Sequence, residues 1–255
     1  MKAKKSLGQN FLKSETALRK IVEAGEIRPN DIILEIGPGK GALTKKLLEH
    51  AGLVIAVEKD RELFEFLKEK FATDISEKKL ILINEDILKF SISNFQFLKN
   101  YKIIANIPYN ITGAILKKFL TAKNQPTSMI LMVQREVATR ILARDGKESI
   151  LSISVKAYGE PKIIMKVEKR YFSPAPKVDS AIIAIKNISR RVFEENKVNE
   201  EKFWEIVKKG FAHKRKKLSS NLKTFLKYDK NDFTKILGNK RAENLTLSDW
   251  ISLVQ

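Results

Sequence analysis

A short apolar run that ends at a glycine-rich loop constrains the fold of this chain more than any other feature. Residues 31–36 are Asp-Ile-Ile-Leu-Glu-Ile, which is typical of a buried strand, and Gly37-Pro-Gly39-Lys-Gly41 follows before a segment with helical spacing. Further strand-like runs occupy residues 53–57, 80–84, 102–105 and 129–133, with helical patterns at 61–71 and 136–143. Because strands alternate with helices, the sequence predicts an α/β fold whose Rossmann-like, mostly parallel sheet has helices on both faces.

The alternation stops in the last third of the chain. Residues 162–167 and 181–188 are extended runs separated only by a turn-rich segment, Phe172-Ser-Pro-Ala-Pro, so they predict an antiparallel hairpin at the sheet edge. Helical spacing follows at residues 200–209, 218–226, 232–237 and after Ser248. We therefore expect a sheet domain over residues 1–192 and a small all-helical C-terminal domain over residues 193–255.

The charge of the chain is large and unevenly distributed. Lys and Arg number 49 against 30 Asp and Glu, a formal net charge of +19. Residues 31–100 nevertheless carry 11 basic and 12 acidic side chains, whereas residues 208–230 carry nine and one. A neutral block beside basic segments favours a small-ligand domain within a surface that binds nucleic acid, since Lys and Arg replace the counterions of a polyanion.

Composition also excludes several classes of protein. The chain has no cysteine, which rules out disulfides, thiolate zinc sites, iron–sulfur clusters and cysteine nucleophiles, and we expect no metal. It has no run of about 18 apolar residues, and no apolar segment follows its basic start. These patterns predict a protein of the cytoplasm that neither spans a membrane nor carries a signal peptide.

The glycine loop and two acidic residues predict a nucleoside-containing cofactor. Gly37 and Gly39 allow a tight turn and a close backbone approach, and Glu58 ends the second strand 21 residues after Gly37, where a carboxylate can hold both hydroxyls of a ribose. Asp86 follows the third strand, where it could accept a hydrogen bond from an adenine amino group. The alternating glycines favour S-adenosylmethionine as the methyl donor, with an NAD-dependent oxidoreductase as the alternative.

The motif Asn106-Ile107-Pro108-Tyr109 predicts the chemistry. It follows the fourth strand, at the edge where open parallel sheets bind ligands. The exocyclic amine of adenine is a poor nucleophile, and the Asn106 side-chain oxygen and the Ile107 carbonyl could hold its two hydrogens. Pro108 stiffens the turn, and Tyr109 can stack on the base. Asn106 is predicted to contact both the base and the cofactor.

With these motifs, the chain resembles the RNA adenine N6,N6-dimethyltransferases of the KsgA family over nearly its whole length. Lys4-Lys-Ser-Leu-Gly-Gln-Asn-Phe-Leu12 resembles the family's N-terminal motif, which closes over the cofactor, so its cofactor contacts would fall on Asn10 and Leu12. Glu35–Gly41, Glu58-Lys-Asp60, Asp86 and Asn106–Tyr109 are similar to its cofactor and target-base motifs. Phe172-Ser-Pro-Ala-Pro-Lys-Val-Asp-Ser180 resembles a later motif whose aromatic, here Phe172, sandwiches the flipped adenine against Tyr109.

The resemblance implies dimethylation of two adjacent adenosines in a hairpin loop near the 3′ end of 16S ribosomal RNA, with a role in small-subunit biogenesis. The partner would be small-subunit RNA, in an assembling particle, and the enzyme a monomer. Phe211–Leu218 resembles the basic motif that opens the family's C-terminal domain, so RNA contacts would fall on Lys214, Arg215, Lys216 and Lys217. Alternatives are a 23S RNA methyltransferase of the erythromycin-resistance type and a non-catalytic assembly factor.

Some positions depart from the family's pattern. Lys40 stands where an apolar residue is usual, and Gly113-Ala114 follow the target-base motif where Ser and Pro are common. The resemblance implies that these departures affect details of the contacts to RNA.

Overall fold

The computed structural model describes residues 3–91, 100–223 and 239–255. The chain divides into two compact units, one of residues 1–138 and 160–188 and the other of residues 139–159 and 189–255. This division differs from the expected boundary at residue 192 because residues 139–159 group with the C-terminal part of the chain. No helix in the described ranges is long and apolar enough to cross a membrane.

The first unit contains a seven-stranded sheet. Its strands are β2 (Ile32–Ile36), β3 (Leu53–Glu58), β4 (Leu80–Asn84), β5 (Tyr101–Asn106), β6 (Ser128–Gln134), β7 (Glu160–Val167) and β9 (Ser180–Lys186). They lie in the order β4-β3-β2-β5-β6-β9-β7. The first five of this order pair in parallel, whereas β9 runs antiparallel to both β6 and β7. The parallel sheet with an antiparallel edge hairpin is therefore confirmed.

The strands form where apolar residues are continuous, because both faces of the sheet are covered. The side chains of β6 from Ser128 to Val133 are all buried, as are those of β3 from Val54 to Glu58. The helices of this unit are α1 (Glu15–Gly25), α2 (Ala42–Leu48), α3 (Arg61–Lys70), α4 (Ala72–Ser76) and α5 (Thr112–Leu120). Helix α6 (Arg135–Leu142) runs across the division at Ala138.

A second, two-stranded sheet has no counterpart among the elements predicted from the sequence. Strand β1 (Phe11–Leu12) pairs antiparallel with β8 (Phe172–Ser173), so Leu12 lies opposite Phe172. The main-chain N–H of Lys13 extends this pairing by donating to the Tyr171 oxygen at 2.8 Å. The pairing joins the N-terminal motif to the segment that carries the second predicted base-contacting aromatic.

The second unit is helical in its described residues. It contains α7 (Ile150–Lys156), α8 (Arg191–Glu195), α9 (Glu200–Gly210), α10 (Leu218–Asn221) and α11 (Leu247–Ser252). Phe211 stacks on the fully buried Trp250 with ring centroids 5.6 Å apart, and Phe203 packs edge-on against Phe193. The helix predicted at residues 232–237 lies outside the described residues, as does the end of the one predicted at 218–226.

Candidate functional site

A cavity of about 510 Å³ opens at the carboxyl ends of the parallel strands of the first unit. Its walls come from the loops after β2, β3, β4 and β5, and from residues 6–13 of the N-terminal segment. The lining includes Asn10, Leu12, Gly37, Gly39, Glu58, Asp86, Asn106, Ile107, Pro108 and Tyr109. The structure thus brings together every residue that the sequence assigned to the cofactor, and all the predicted base-contacting residues except Phe172.

The glycine loop needs glycine for its backbone conformation. Gly37 and Gly39 have φ angles of 65° and 60°, in the left-handed region that other residues rarely adopt. A Cβ atom on Gly39 would lie 3.0 Å from the ring of Phe11. The loop therefore packs closely under the N-terminal segment while its main chain faces the cavity.

Glu58 is held by backbone donors on both sides of its carboxylate. Oε1 accepts from the Asp60 N–H at 2.8 Å, and Oε2 accepts from the Gly39 N–H at 3.1 Å. Only 5% of the residue is exposed, and burial raises the pKa of its carboxyl, an effect that the two backbone donors oppose. The carboxylate is fixed in the cavity wall, where its remaining lone pairs can accept ligand hydroxyls.

Asp86 lies at the neighbouring strand end and forms an ion pair with the exposed Lys59. Its Oδ2 accepts from Lys59 Nζ at 2.9 Å, and Oδ1 accepts from the Leu88 N–H at 2.9 Å. The bond from Lys59, followed by that from the Leu88 N–H, lowers the pKa of the Asp86 carboxyl. Asp86 therefore stays ionised and able to accept a hydrogen bond from an adenine amine.

Glu35, which begins the glycine-loop motif, gives the cavity wall a buried acid for which the sequence predicted no contact of its own. It is 1% exposed, and its Oε2 has no hydrogen-bond partner among the described residues. Burial raises the pKa of Glu35 to about 8, the Thr44 hydroxyl lowers it, and the nearby Glu58 carboxylate raises it further. An unpaired buried oxygen in a cavity wall fits a ligand that brings a donor, such as the ammonium group of S-adenosylmethionine. Its position directly before the glycine loop was the available sequence signal.

Asn106 ends β5 and contacts the N-terminal segment. Its Nδ2 donates to the main-chain oxygen of Asn10 at 3.1 Å, and no described residue donates to its Oδ1. The Asn10 side chain in turn donates to the Gly8 oxygen at 3.1 Å. The amide of Asn106 is thereby oriented with its nitrogen engaged and its acceptor oxygen available.

Tyr109 begins a short 3-10 turn, Tyr109–Ile111, that leads into α5. Its hydroxyl lies 2.5 Å from the Ser180 Oγ, and Ser180 is fully buried at the start of β9. Burial raises the pKa of the Tyr109 phenol, and the contact with Ser180 lowers it. The ring is therefore fixed at its far end, a role for Ser180 that the sequence did not suggest although the residue ends the later motif.

Phe172 does not line the cavity. It is 2% exposed and belongs to the hydrophobic core, whereas the next residue, Ser173, does line the cavity. The strand pairing places Phe172 opposite Leu12, which is also buried. In this structure its ring is covered, so the predicted contact between Phe172 and a base is not open in this conformation.

The basic cluster Lys214–Lys217 belongs to the second unit and lies in the turn between α9 and α10. All four side chains are exposed, and Lys217 Nζ donates to the Asn239 Oδ1 at 2.8 Å. Such a cluster can contact phosphates.

The departures at Lys40 and at Gly113-Ala114 lie on the surface of the first unit. Lys40 Nζ lies 5.0 Å from the centroid of the Phe11 ring, at the rim of the cavity. A Cβ atom on Gly113 would meet nothing within 4 Å, so glycine there is not required by packing.

Comparison with known proteins identifies the family. The family model described as ribosomal RNA adenine dimethylase matches residues 1–255. The chain belongs to the ribosomal RNA adenine dimethylase family. It is accordingly an S-adenosylmethionine-dependent methyltransferase that dimethylates adenine in ribosomal RNA, and the predicted NAD-dependent alternative is wrong.

Individual relatives of this dimethylase cover the whole chain. A protein of Dehalococcoides mccartyi named ribosomal RNA small subunit methyltransferase A is 41% identical over 99% of this chain and 88% of its own length. A Fusobacterium nucleatum protein of the same name is 39% identical over 100% of this chain and 97% of its own length. The resemblance to the KsgA family is therefore confirmed.

Solved structures share the dimethylase fold. The 23S rRNA methyltransferase ErmE superposes with a TM-score of 0.80 at 26% identity, covering 96% of this chain and 98% of its own. A dimethyladenosine transferase from Plasmodium falciparum superposes with a TM-score of 0.78 at 28% identity, covering 95% of both chains. The predicted methyltransferase fold is confirmed.

Proposed function

We propose that this dimethylase acts on two adjacent adenosines in a hairpin loop near the 3′ end of 16S ribosomal RNA, in an assembling small subunit in the cytoplasm. The relatives that support this target carry small-subunit names at 39–41% identity, whereas ErmE, named for 23S RNA, is 26% identical. We propose that the enzyme works as a monomer.

The observation that carries the proposal is the orientation of Asn106. Because its Nδ2 is engaged by the Asn10 carbonyl, its Oδ1 is an acceptor at the cavity that also holds the Glu58 and Asp86 carboxylates. An adenine amine needs an acceptor, since its nitrogen carries two N–H bonds and a lone pair delocalised into the ring. A cavity with a ribose-binding acid and this acceptor suits methyl transfer to adenine N6.

We assign the chemistry to four consecutive residues. Asn106 Oδ1 and the Ile107 carbonyl accept the two N–H groups of the amine, which favours a pyramidal nitrogen with a directed lone pair. Pro108 fixes the turn, and the Tyr109 ring stacks on the base. S-adenosylmethionine, when bound, would supply an electrophilic methyl group, so no general base is needed before the attack, and the amine loses its proton after the methyl group has transferred. Positioning can contribute as much as about 7–11 kcal/mol for a well-aligned pair.

We assign cofactor contacts to Asn10, Leu12, Gly37, Gly39, Glu58, Asp86 and Asn106. Glu58 would accept from the ribose hydroxyls and Asp86 from the adenine amine of the cofactor. The size of the cavity, about 510 Å³, and the unpaired Glu35 oxygen support this assignment.

We assign RNA binding to Lys214, Arg215, Lys216 and Lys217, and we retain residues 193–255 as an RNA-binding domain beside a methyltransferase domain over residues 1–192. The exposure of all four side chains supports this role. We retain Phe172 as the aromatic that would complete a base sandwich with Tyr109 once its ring is uncovered. A flipped base leaves its stack to reach such a site.

Tritium transfer from labelled S-adenosylmethionine to purified ribosomal particles tests the proposed target. We expect label in small-subunit RNA, released by digestion as N6,N6-dimethyladenosine, from particles of a strain that lacks this modification. The matched control is Asn106→Ala, which should bind the particles and transfer at least about 100-fold less label. Label in large-subunit RNA would contradict the proposed target, and RNA binding without transfer by the unsubstituted enzyme would favour an assembly factor.

A further inference from the structure

Asp60 ends the motif Glu58-Lys-Asp60, but no contact with base or cofactor is assigned to its carboxylate, on which three donors converge. Oδ1 accepts from Lys4 Nζ at 2.7 Å and from the Glu62 N–H at 3.1 Å, and Oδ2 accepts from Gln9 Nε2 at 2.8 Å. The residue is 4% exposed. Two of the three donors belong to the N-terminal strap, which we define as residues 4–12.

The two strap residues that contact Asp60, Lys4 and Gln9, also bond to each other. The main-chain N–H of Lys4 donates to Gln9 Oε1 at 2.7 Å, while Gln9 uses its amide nitrogen on Asp60. Both ends of the loop from Lys4 to Gln9 therefore meet one carboxylate. The residue after Gln9 is Asn10, whose main-chain oxygen accepts from Asn106.

Asp60 also contacts the predicted ribose acid, Glu58, through its backbone. Its N–H donates to Glu58 Oε1 at 2.8 Å. One residue thus connects the predicted ribose acid to the strap, and the strap connects to the predicted acceptor for the adenine amine. These links are direct hydrogen bonds within the first unit, apart from the peptide bond that joins Gln9 to Asn10.

We propose that Asp60 is a positioning residue that fastens the N-terminal strap across the cofactor cavity and, through Asn10, holds the Asn106 amide with its oxygen available. A buried carboxylate loses its hydrogen bonds when the strap lifts, so closure is favoured whenever Lys4 and Gln9 are in place. This role rests on the proposed function of the cavity and specifies what keeps it closed.

Asp60→Asn separates this role from the capping of α3. Asparagine is as good an N-cap as aspartate, so its oxygen can still accept from the Glu62 N–H. Its amide nitrogen would then replace Oδ2 and face the Gln9 donor, and its neutral oxygen would accept more weakly from Lys4 than a carboxylate does. We expect the Kd of S-adenosylhomocysteine to rise at least about tenfold and kcat at saturating cofactor to fall, with Tm unchanged within about 2 °C.

Two further variants give the matched controls. Gln9→Leu should weaken S-adenosylhomocysteine binding by a similar factor. The double variant with Asp60→Asn should bind it little more weakly than either single variant, because both substitutions remove the same contact between Gln9 and Asp60. Glu62→Gln removes the exposed second carboxylate near Lys4, at 3.0 Å, and should change the Kd less than about twofold.

Hydrogen exchange distinguishes a lifted strap from a damaged helix. With bound S-adenosylhomocysteine, amides of residues 4–12 should be protected in the unsubstituted protein and exchange faster in Asp60→Asn, while α3 exchanges at an unchanged rate. Faster exchange in α3, or additive losses in the double variant, would overturn the positioning role. If the unsubstituted protein fails to bind S-adenosylhomocysteine, the proposed function of the cavity fails instead.

Discussion

The side-chain nitrogen of Asn106 donates to the main-chain oxygen of Asn10 at 3.1 Å, across 96 residues of sequence. This bond fixes which end of the amide faces the cavity. A free asparagine could present either its oxygen or its nitrogen to an adenine amine, and only the oxygen accepts a hydrogen bond. The N-terminal strap therefore takes part in the chemistry that we assign to Asn106, beyond covering the cofactor.

Asn106→Ala should reduce the rate of methyl transfer by about 100- to 1,000-fold. This is the loss found when one positioned polar group is removed from other active sites. The side chain is only partly buried, so folding should be retained. Single-turnover transfer of tritium to RNA measures the effect, with RNA affinity as the control. Transfer within about threefold of the unsubstituted rate would exclude the assigned role.

Tyr109→Phe should retain most activity because it keeps the stacking ring and loses only the contact with Ser180. Tyr109→Ala should weaken productive RNA binding about 5- to 150-fold, since base–aromatic stacking contributes roughly 1–3 kcal/mol. KM for RNA measures both. Equal losses in the two variants would show that the hydroxyl, rather than the ring, carries the function.

The sequence predicted the parallel sheet and most of the cavity because both are encoded locally. Apolar runs such as residues 31–36 match their strands within a residue or two, and the turns after them carry the cofactor motifs. Parallel strands bring their carboxyl ends to one edge, which is why Gly37, Glu58, Asp86 and Asn106 line one cavity.

The contacts that join distant motifs could not be predicted in this way. The β1–β8 pairing, the bond between Tyr109 and Ser180, and the bonds from Lys4 and Gln9 to Asp60 depend on tertiary packing between segments far apart in sequence. The burial of Phe172 could not be predicted either. The motif specifies an aromatic residue, but its exposure depends on the core residues that pack around it. Five helices were also missed, namely α1, α4, α5, α7 and α8.

Glu35 should make folding stability depend on pH. Its pKa is raised by burial from 4.5 in the unfolded chain to about 8, so the folded state holds a proton that the unfolded state releases between these values. The contribution of Glu35 to the free energy of unfolding is therefore greatest below about pH 4.5. It falls as pH rises toward 8, by up to about 1.4 kcal/mol per pH unit.

Urea unfolding of the unsubstituted protein and of Glu35→Gln measures this dependence. The difference in unfolding free energy between the two should shift in favour of Glu35→Gln as pH rises from 5 to 8. A difference that stays constant over that range would show that Glu35 titrates normally.

Replacing Lys214, Arg215, Lys216 and Lys217 with alanine should weaken RNA binding and flatten its salt dependence. Each lost phosphate contact lowers the slope of log K against log salt by about 0.7 to 0.9, so four contacts predict a decrease of about 3. A matched control replaces four exposed basic residues of the first unit, Arg28, Lys45, Arg61 and Lys68, with alanine. An unchanged slope in the first variant, or the same decrease in both, would remove this cluster from the RNA interface.

The most direct test of the central claim is to map N6,N6-dimethyladenosine in ribosomal RNA from cells with the gene, without it, and with Asn106→Ala in its place. We predict two adjacent dimethylated adenosines near the 3′ end of the small-subunit RNA in the first case, and none in the other two. Small-subunit adenosines that remain dimethylated without the gene, or a modification lost from large-subunit RNA instead, would contradict the account.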